Sequence, residues 1–531
     1  MSLRESIMSY LVKAIPKGVV ADLRVPDENQ DAHYATSVAF KLAKELGKNP
    51  REAAEEVVMK LLKTAPPEFF DRIEVSGPGF INFWLSQKTL NAELQRIFKE
   101  GKRYGTSKDL KDKIQLEFIS ANPTGPLTLA NGRGGFLGDV LGNVLKSAGA
   151  KVEKEYYVND TGNQVLTFGK SILAVKGLIK DEENFYKGSY VSDWAKKNSK
   201  TVLKLKDRPM ELGERAAKDL LKKIKIDIGE KAKIKFDRYT SEKKIHQLKL
   251  PNEMLKIFEK GGWTYEQEGA LWLKTTAFGD DKDRVLITSK DKFPTYLLAD
   301  AGHYLETKKR SFDTKINILG PDHYGYVKRI QAVAKILKFK KSEVLITQAI
   351  RLIKDGQEFK MSKRKGEFVT FEDLVNEVGM DAARFFFLMI SPETHMDFDM
   401  GLAKERSNKN PVFYLQYAYV RANNILTKAK ALAAVKKPDM KLLNTEADVK
   451  LIRSLAQFPE VIADTASDYE VHRLTRYALS LAGDFHNFYE KERVLGEPKD
   501  IAAARYNLVK AIFIILNNLF GVLGITKPKK M

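Results

Sequence analysis

Two short stretches carry the residues best suited to polyphosphate chemistry. One is ANPTGPLTLANGRGGFLGD, starting at Ala121, which lies between a strand-like run and a helix-like run. A loop so placed aims free backbone N–H groups and the positive end of a helix dipole at one spot, which suits a phosphate. The other is FKMSKRKGEFVTFEDLV, starting at Phe359. There Lys360, Ser362, Lys363, Arg364 and Lys365 crowd one loop, and Gly366 gives it freedom. Lysines on such a loop can follow charge that develops only as a bond breaks. Read singly, the first is more often an ordinary strand-to-helix turn and the second a solvated basic loop.

Several familiar chemistries are excluded. There is no G-x-x-x-x-G-K-[ST], so neither stretch is a P-loop. Gly132, Gly134 and Gly138 miss the dinucleotide G-x-G-x-x-G by one residue, with Leu137 in the third glycine position. The chain has no cysteine, which removes disulfides, thiolate zinc sites and cysteine nucleophiles. Its seven histidines are scattered, with no i, i+4 pair, and no structural metal is expected.

The elements that must hold these stretches are readable from periodicity. In KIQLEFIS, Ile114, Leu116 and Phe118 alternate with Gln115 and Glu117, the pattern of a strand. Leu137, Val140, Leu141, Val144 and Leu145 fall at helical spacing, and Gly149 is placed to end the helix. From Lys113 to about Met400, strand patterns such as KVEKEYYV, RVLITS, INILG and SEVLITQAI alternate with helical ones, which predicts a parallel α/β sheet. A helical, lysine-rich stretch over about 167–269 reads as an insertion in that domain. Residues 1–108 combine a helix, REAAEEVVMKLLKTA, with a strand–turn–strand, RIEVSGPGFINFWLS, and end in a polar basic linker. Residues 403–531 read as a helix bundle.

With 531 residues, roughly two to four domains are expected. Lys plus Arg number 90 against 69 Asp plus Glu, and this net +21 suggests a nucleic-acid partner ahead of a membrane. The N-terminus is too charged for a signal peptide. LVKAIFIILNNLFGVLGI, broken by Lys510, Asn517 and Asn518, reads as too short for a membrane span and as a buried helix. A cytoplasmic monomer is expected.

The pairing of the two stretches, K-M-S-K about 230 residues after a Pro-Gly-rich strand–helix loop, resembles a class I aminoacyl-tRNA synthetase. Longer blocks are similar to bacterial arginyl-tRNA synthetases along nearly the whole chain. They include SANPTGPL, YYVNDTGNQ, GALWLKTTAFGDDKDRVL, PTYLLADAGHYL, LGPDHYGYVKRI, KMSKRKGEFVTFEDLVNEVGMDAARFFFL, SPETHMDFDM, NPVFYLQYAYVR, FHNFYEKERVLGE and GITKPKKM. One departure stands out. The family's His-x-Gly-His signature would align with Thr128, Leu129, Ala130 and Asn131, so both histidines are replaced and the glycine has gained a methyl group.

The resemblance implies a Rossmann-like catalytic domain over 109–402, a tRNA-contacting accessory domain over 1–108 and an anticodon-binding domain over 403–531. It implies ligation of L-arginine to tRNA(Arg) through arginyl-adenylate, with ATP arriving with Mg²⁺ held mostly by phosphates and water. Lys360, Lys363, Thr128 and Asn131 would serve catalysis, and Thr128, Ala130, Asn131, Gly132, Met361, Ser362 and Lys363 would bind ATP. Thr and Asn can still donate hydrogen bonds to phosphate oxygens. A guanidinium wants planar carboxylate partners. Asp300 and Glu242 match the family positions for it, with Tyr296 beside them. Ser120, Asn122 and His323 resemble the residues that hold the α-amino and carboxylate end, and Glu117 sits at the strand's end. Tyr414, Gln416 and Tyr417 open the tRNA-binding domain, and Met531 closes it. The altered signature keeps one alternative open: a synthetase-like tRNA-binding protein with impaired activation.

Overall fold

The computed structural model describes residues 1–26, 32–290, 294–359, 369–435 and 438–531. Its centre is a five-stranded sheet of β1 (Lys113–Glu117), β2 (Lys151–Val158), β3 (Arg238–Ser241), β4 (Thr314–Leu319) and β5 (Lys341–Ile346). The spatial order is β5-β4-β1-β2-β3, and every neighbouring pair is parallel. Parallel strands joined by helices are covered on both faces, so β1 and β4 are buried almost throughout. The strand order reverses between β1 and β4. In open α/β sheets ligands bind beyond the carboxyl ends of the strands at such a reversal.

Helix α1 (Leu129–Ser147) leads from the first stretch back along the sheet. Its glycines have a packing reason. A Cβ at Gly138 would stand 2.3 Å from the Phe118 ring, and one at Gly132 would stand 2.3 Å from the Phe371 ring. Each glycine costs about 1 kcal/mol of helix propensity against alanine, a cost offset here by close approach of helix to sheet. Gly149, at φ 108°, turns the chain out of the helix end.

Two expectations from the sequence are corrected. The stretch 167–269 is not one helical insertion, because β3 lies inside it and pairs with β2. RVLITS does form a strand, Arg284–Ile287, but outside the parallel sheet. It joins Thr264–Gln267 and Ala270–Leu273 in a small antiparallel sheet. Alternating hydrophobicity identifies a strand without identifying its neighbours. That sheet precedes α2 (Tyr296–Lys309), which runs back toward β4.

The N-terminal region packs helices such as Pro50–Thr64 on an antiparallel sheet whose long hairpin pairs Phe70–Ser76 with Phe80–Leu85. Beyond α3 (Phe371–Val378) and α4 (Met380–Leu388), the C-terminal region is helical, including α5 (Pro411–Lys428), α6 (His472–Lys491) and α7 (Lys499–Leu523). The apolar stretch expected to be too short for a membrane is part of α7, whose 25 residues are long enough by length and composition alone. Burial of Ile512, Ile515, Leu516, Leu519 and Phe520 shows a core helix. One continuous hydrophobic core runs through all three regions.

Candidate active site

At the end of β1 the backbone turns abruptly. Ile119 and Ser120 have φ of 64° and 40°. A β-branched residue in that region is strained, on the order of 1–3 kcal/mol, and such strain clusters at functional sites. The turn brings the Ser120 hydroxyl to donate to Glu117 Oε1 at 3.2 Å and to accept from the Tyr157 N–H at 3.0 Å. Buried Glu117 Oε2 in turn accepts from Lys315 Nζ at 3.0 Å and Asn317 Nδ2 at 2.7 Å, both on β4. The reversal point is thus floored by a hydrogen-bonded, charge-balanced network.

Above this floor opens a cavity of about 1110 Å³. Glu117, Ser120, Asn122, Thr128, Ala130, Asn131, Glu242, Tyr296, Asp300 and His323 all line it. Asn122 Oδ1 accepts from Asn159 Nδ2 at 2.5 Å. His323 Nε2 lies 3.4 Å from Asp322. Tyr296 is 71% exposed, at the first turn of α2. Asp300, one turn on, accepts from the Tyr326 hydroxyl at 2.5 Å.

The two carboxylates have unusual electrostatics. Burial raises Glu242 to about 7, with the Asp300 and Asp160 charges adding to it. Burial also raises Asp300, against the Tyr326 hydrogen bond. Among the described residues neither forms an ion pair with a lysine or arginine; Glu242 has only His246 Nε2 at 3.7 Å. Glu155 nearby shows the contrast. Burial would raise it, but His303, Lys315 and Arg310 hold it well below the usual carboxylate range. Glu155, His303 and Glu306 stand close enough to share a metal ion, yet Arg310 already bridges the two glutamates.

The remaining candidates separate. Gly132 is not among the residues lining the cavity and lies against Phe371, where a Cβ would meet the ring at 2.3 Å. Thr128 caps α1, and its side chain and that of Asn131 bond each other in a capping box. Lys360, Met361, Ser362 and Lys363 lie outside the described residues. The segment just after them is anchored to the first loop: Thr370 bridges Thr128, and the Phe371 N–H donates to Leu127 O at 2.9 Å.

The four residues matched to tRNA binding lie in the C-terminal region, away from the cavity. Tyr414 and Tyr417 pack on the His486 ring with centroids at 4.6 and 5.7 Å. The Gln416 amide donates to Asp381 at 2.8 Å, so it ties the helical region to α4. Met531 is half exposed at the chain end.

Sequence reasoning missed three cavity features. His303 is buried beneath Asp300, its Nε2 2.7 Å from Glu155. Tyr157 stacks on it at 4.3 Å, and its buried hydroxyl has no hydrogen-bond partner among the described residues. Arg329 lines the far wall, with its guanidinium 5.5 Å from the Tyr326 ring centroid. Helical spacing from Tyr296 and Asp300 does point to His303. Tyr157 falls in the strand pattern KVEKEYYV, which does not single out its hydroxyl, and Arg329 carries no pattern.

Comparison with known proteins bears on what this cavity serves. Residues 93–387 match the family described as tRNA synthetases class I (R), catalytic domain. Residues 1–85 match the arginyl tRNA synthetase N terminal domain, and residues 415–531 match the DALR anticodon binding domain. A curated relative from Desulforamulus reducens, named arginine–tRNA ligase, is 39% identical and covers 100% of this chain and 98% of its own. One of the same name from Listeria monocytogenes is 39% identical over 96% of this chain and 94% of its own. The solved arginyl-tRNA synthetase of Thermus thermophilus shares the fold, with a TM-score of 0.81 at 20% identity over 100% of this chain and 99% of that one. A full-length match at this identity, on a sheet whose reversal point opens into an acidic cavity beside a capped loop, places the chain in the arginyl-tRNA synthetase family of class I.

Proposed function

We propose that the cavity binds L-arginine and ATP together, forms arginyl-adenylate and pyrophosphate, and passes the arginyl group to the 2′-hydroxyl of the terminal adenosine of tRNA(Arg). The chain is an arginine–tRNA ligase by family. The observation that carries the residue roles is the Glu242–Asp300 pair: two half-buried acids in one cavity with no lysine or arginine partner among the described residues. A guanidinium supplies the missing charge and can meet both groups through its planar fork. Ser120, Asn122 and His323 stand nearer the reversal point, where the amino-acid head would meet the α-phosphate. Catalysis is then positioning plus charge stabilisation, with no covalent enzyme intermediate.

Mg²⁺ would travel with ATP, held by phosphates and water. Lys360 and Lys363 would close on the leaving pyrophosphate. The regions 1–108, 109–402 and 403–531 would act as accessory, catalytic and anticodon-binding domains. In the last of these Arg421 lies over Tyr417 at 4.6 Å and over Tyr489 at 4.1 Å, which suits stacking on unpaired bases. The reading of a tRNA binder with impaired activation rests on Thr128–Asn131 alone.

The direct test is exchange of labelled pyrophosphate into ATP, with tRNA present. Exchange should require arginine, and robust exchange with another amino acid in its place would overturn the reading. A pH profile checks the acid pair. Because Glu242 titrates at about 7 in the free protein, it is protonated at lower pH and ionised above. The Michaelis constant for arginine should therefore fall as pH rises from about 6 to about 8, since only the ionised acid attracts the guanidinium. Glu242→Gln should flatten that slope. A flat wild-type profile would place the guanidinium elsewhere.

A further inference from the structure

The altered signature leaves a question of atoms: which of Thr128 and Asn131 can reach a phosphate. The Thr128 backbone N–H donates to Asn131 Oδ1 at 2.9 Å. A backbone N–H can only donate, so the Asn131 atom facing it must be the amide oxygen. The Thr128 hydroxyl donates to the same Oδ1 at 2.9 Å and accepts from the Asn131 N–H at 3.3 Å. Its single proton is therefore spent inside the capping box. The Asn131 Nδ2 group keeps both its N–H bonds, with no bond to any described residue, and Asn131 lines the cavity. The loop is braced from behind, because the Phe371 ring fills the space beside Gly132 and the Phe371 N–H holds Leu127.

We propose that Asn131 Nδ2 is the side-chain donor to the ATP phosphates and that Thr128 is a positioning residue acting only through Asn131. This rests on the reading that the cavity binds ATP. In place of two imidazoles, the chain presents one neutral amide whose rotamer is locked by its own helix cap. Such a donor is preorganised, so it meets developing charge without rearrangement.

The test is a double-mutant cycle read by single-turnover adenylate formation with arginine and tRNA. Asn131→Ala should slow the step by about 10²–10³-fold. Asn131→Asp keeps an oxygen for the cap but removes both N–H groups, and it should be at least as slow. Thr128→Ala should be slowed, and Thr128→Ser should recover the rate. The double variant Thr128→Ala/Asn131→Ala should be no slower than Asn131→Ala alone, the signature of two residues acting as one unit. If the two losses multiply, Thr128 donates on its own account and the proposal fails. It also fails if Asn131→Asp keeps the wild-type rate. These outcomes are separable from a wrong function: a wild-type protein whose exchange does not depend on arginine sinks the larger reading, whereas arginine-dependent exchange untouched by every loop variant sinks this one alone.

Discussion

Asp300→Asn should raise the Michaelis constant for arginine by about 10- to 100-fold, the equivalent of the roughly 1.5–3 kcal/mol lost when a hydrogen bond to a charged group goes. The constant for ATP should stay where it is. Asparagine keeps the shape of the side chain and can still accept the Tyr326 hydroxyl, so only the charge is removed. Burial already opposes that charge in the free protein, as the raised titration of Asp300 shows. The variant should therefore melt no lower than the wild type without arginine. A site that holds unpaired carboxylates costs stability for the sake of its ligand. Steady-state kinetics with each substrate varied in turn, beside a melting curve, check both halves. Unchanged arginine dependence would show that Asp300 does not face the guanidinium.

The frame around this site was largely legible in the sequence, and the failures have physical causes. Alternation in KIQLEFIS and KVEKEYYV gave strands that pair in the sheet, since both faces of the strand meet helices. The strand Arg238–Ser241 escaped notice because four residues are too few for a period, and lysine-rich helices surround it. RVLITS was a correct strand in the wrong sheet, because partner choice is a long-range property.

At the site, the type of chemistry was readable but the division of labour was not. Glu242 and Asp300 stand 58 positions apart; nothing local pairs them, and only the resemblance to a family singled them out. The T-x-x-N spacing of Thr128 and Asn131 is a helix-cap pattern that can be read directly. Read as two phosphate donors, it missed that each side chain's first partner is the other. The Tyr157 hydroxyl shows the limit. A strand pattern places its ring inward, but that its oxygen ends without a partner among the described residues depends on β2, α2 and the acids around it at once.

The second large effect is on stability, and it lies where the helical C-terminal region meets the catalytic region. Arg384, on α4 and fully buried, donates from Nη1 to Asp139 Oδ2 at 2.6 Å and to Leu523 O at 3.2 Å, and from Nη2 to Ala232 O at 2.6 Å. Asp139 belongs to α1, Leu523 ends α7, and Ala232 leads toward β3. The guanidinium also lies 4.7 Å from the Phe136 ring centroid. Arg384→Met fills similar volume yet removes every one of these bonds. Asp139 would keep Lys154 Nζ, at 2.6 Å, but lose half its compensation, and the carbonyls of buried Ala232 and Leu523 would lose a donor. Breaking a buried charge pair in this way costs about 3–5 kcal/mol, against about 1 kcal/mol for a typical point mutation. The urea midpoint should fall clearly, and the loss should be worst for the helical region, because this side chain and Asn143, whose amide donates to Val522 O at 3.0 Å, both bond the end of α7. An unchanged midpoint would mean that apolar packing of α7, with the Gln416 and Thr526 bonds to Asp381, holds the helical region to the catalytic sheet without Arg384. A lowered midpoint with arginine and ATP constants intact would instead mark it as the joint between α1, which opens at Thr128, and the helices at the far end of the chain.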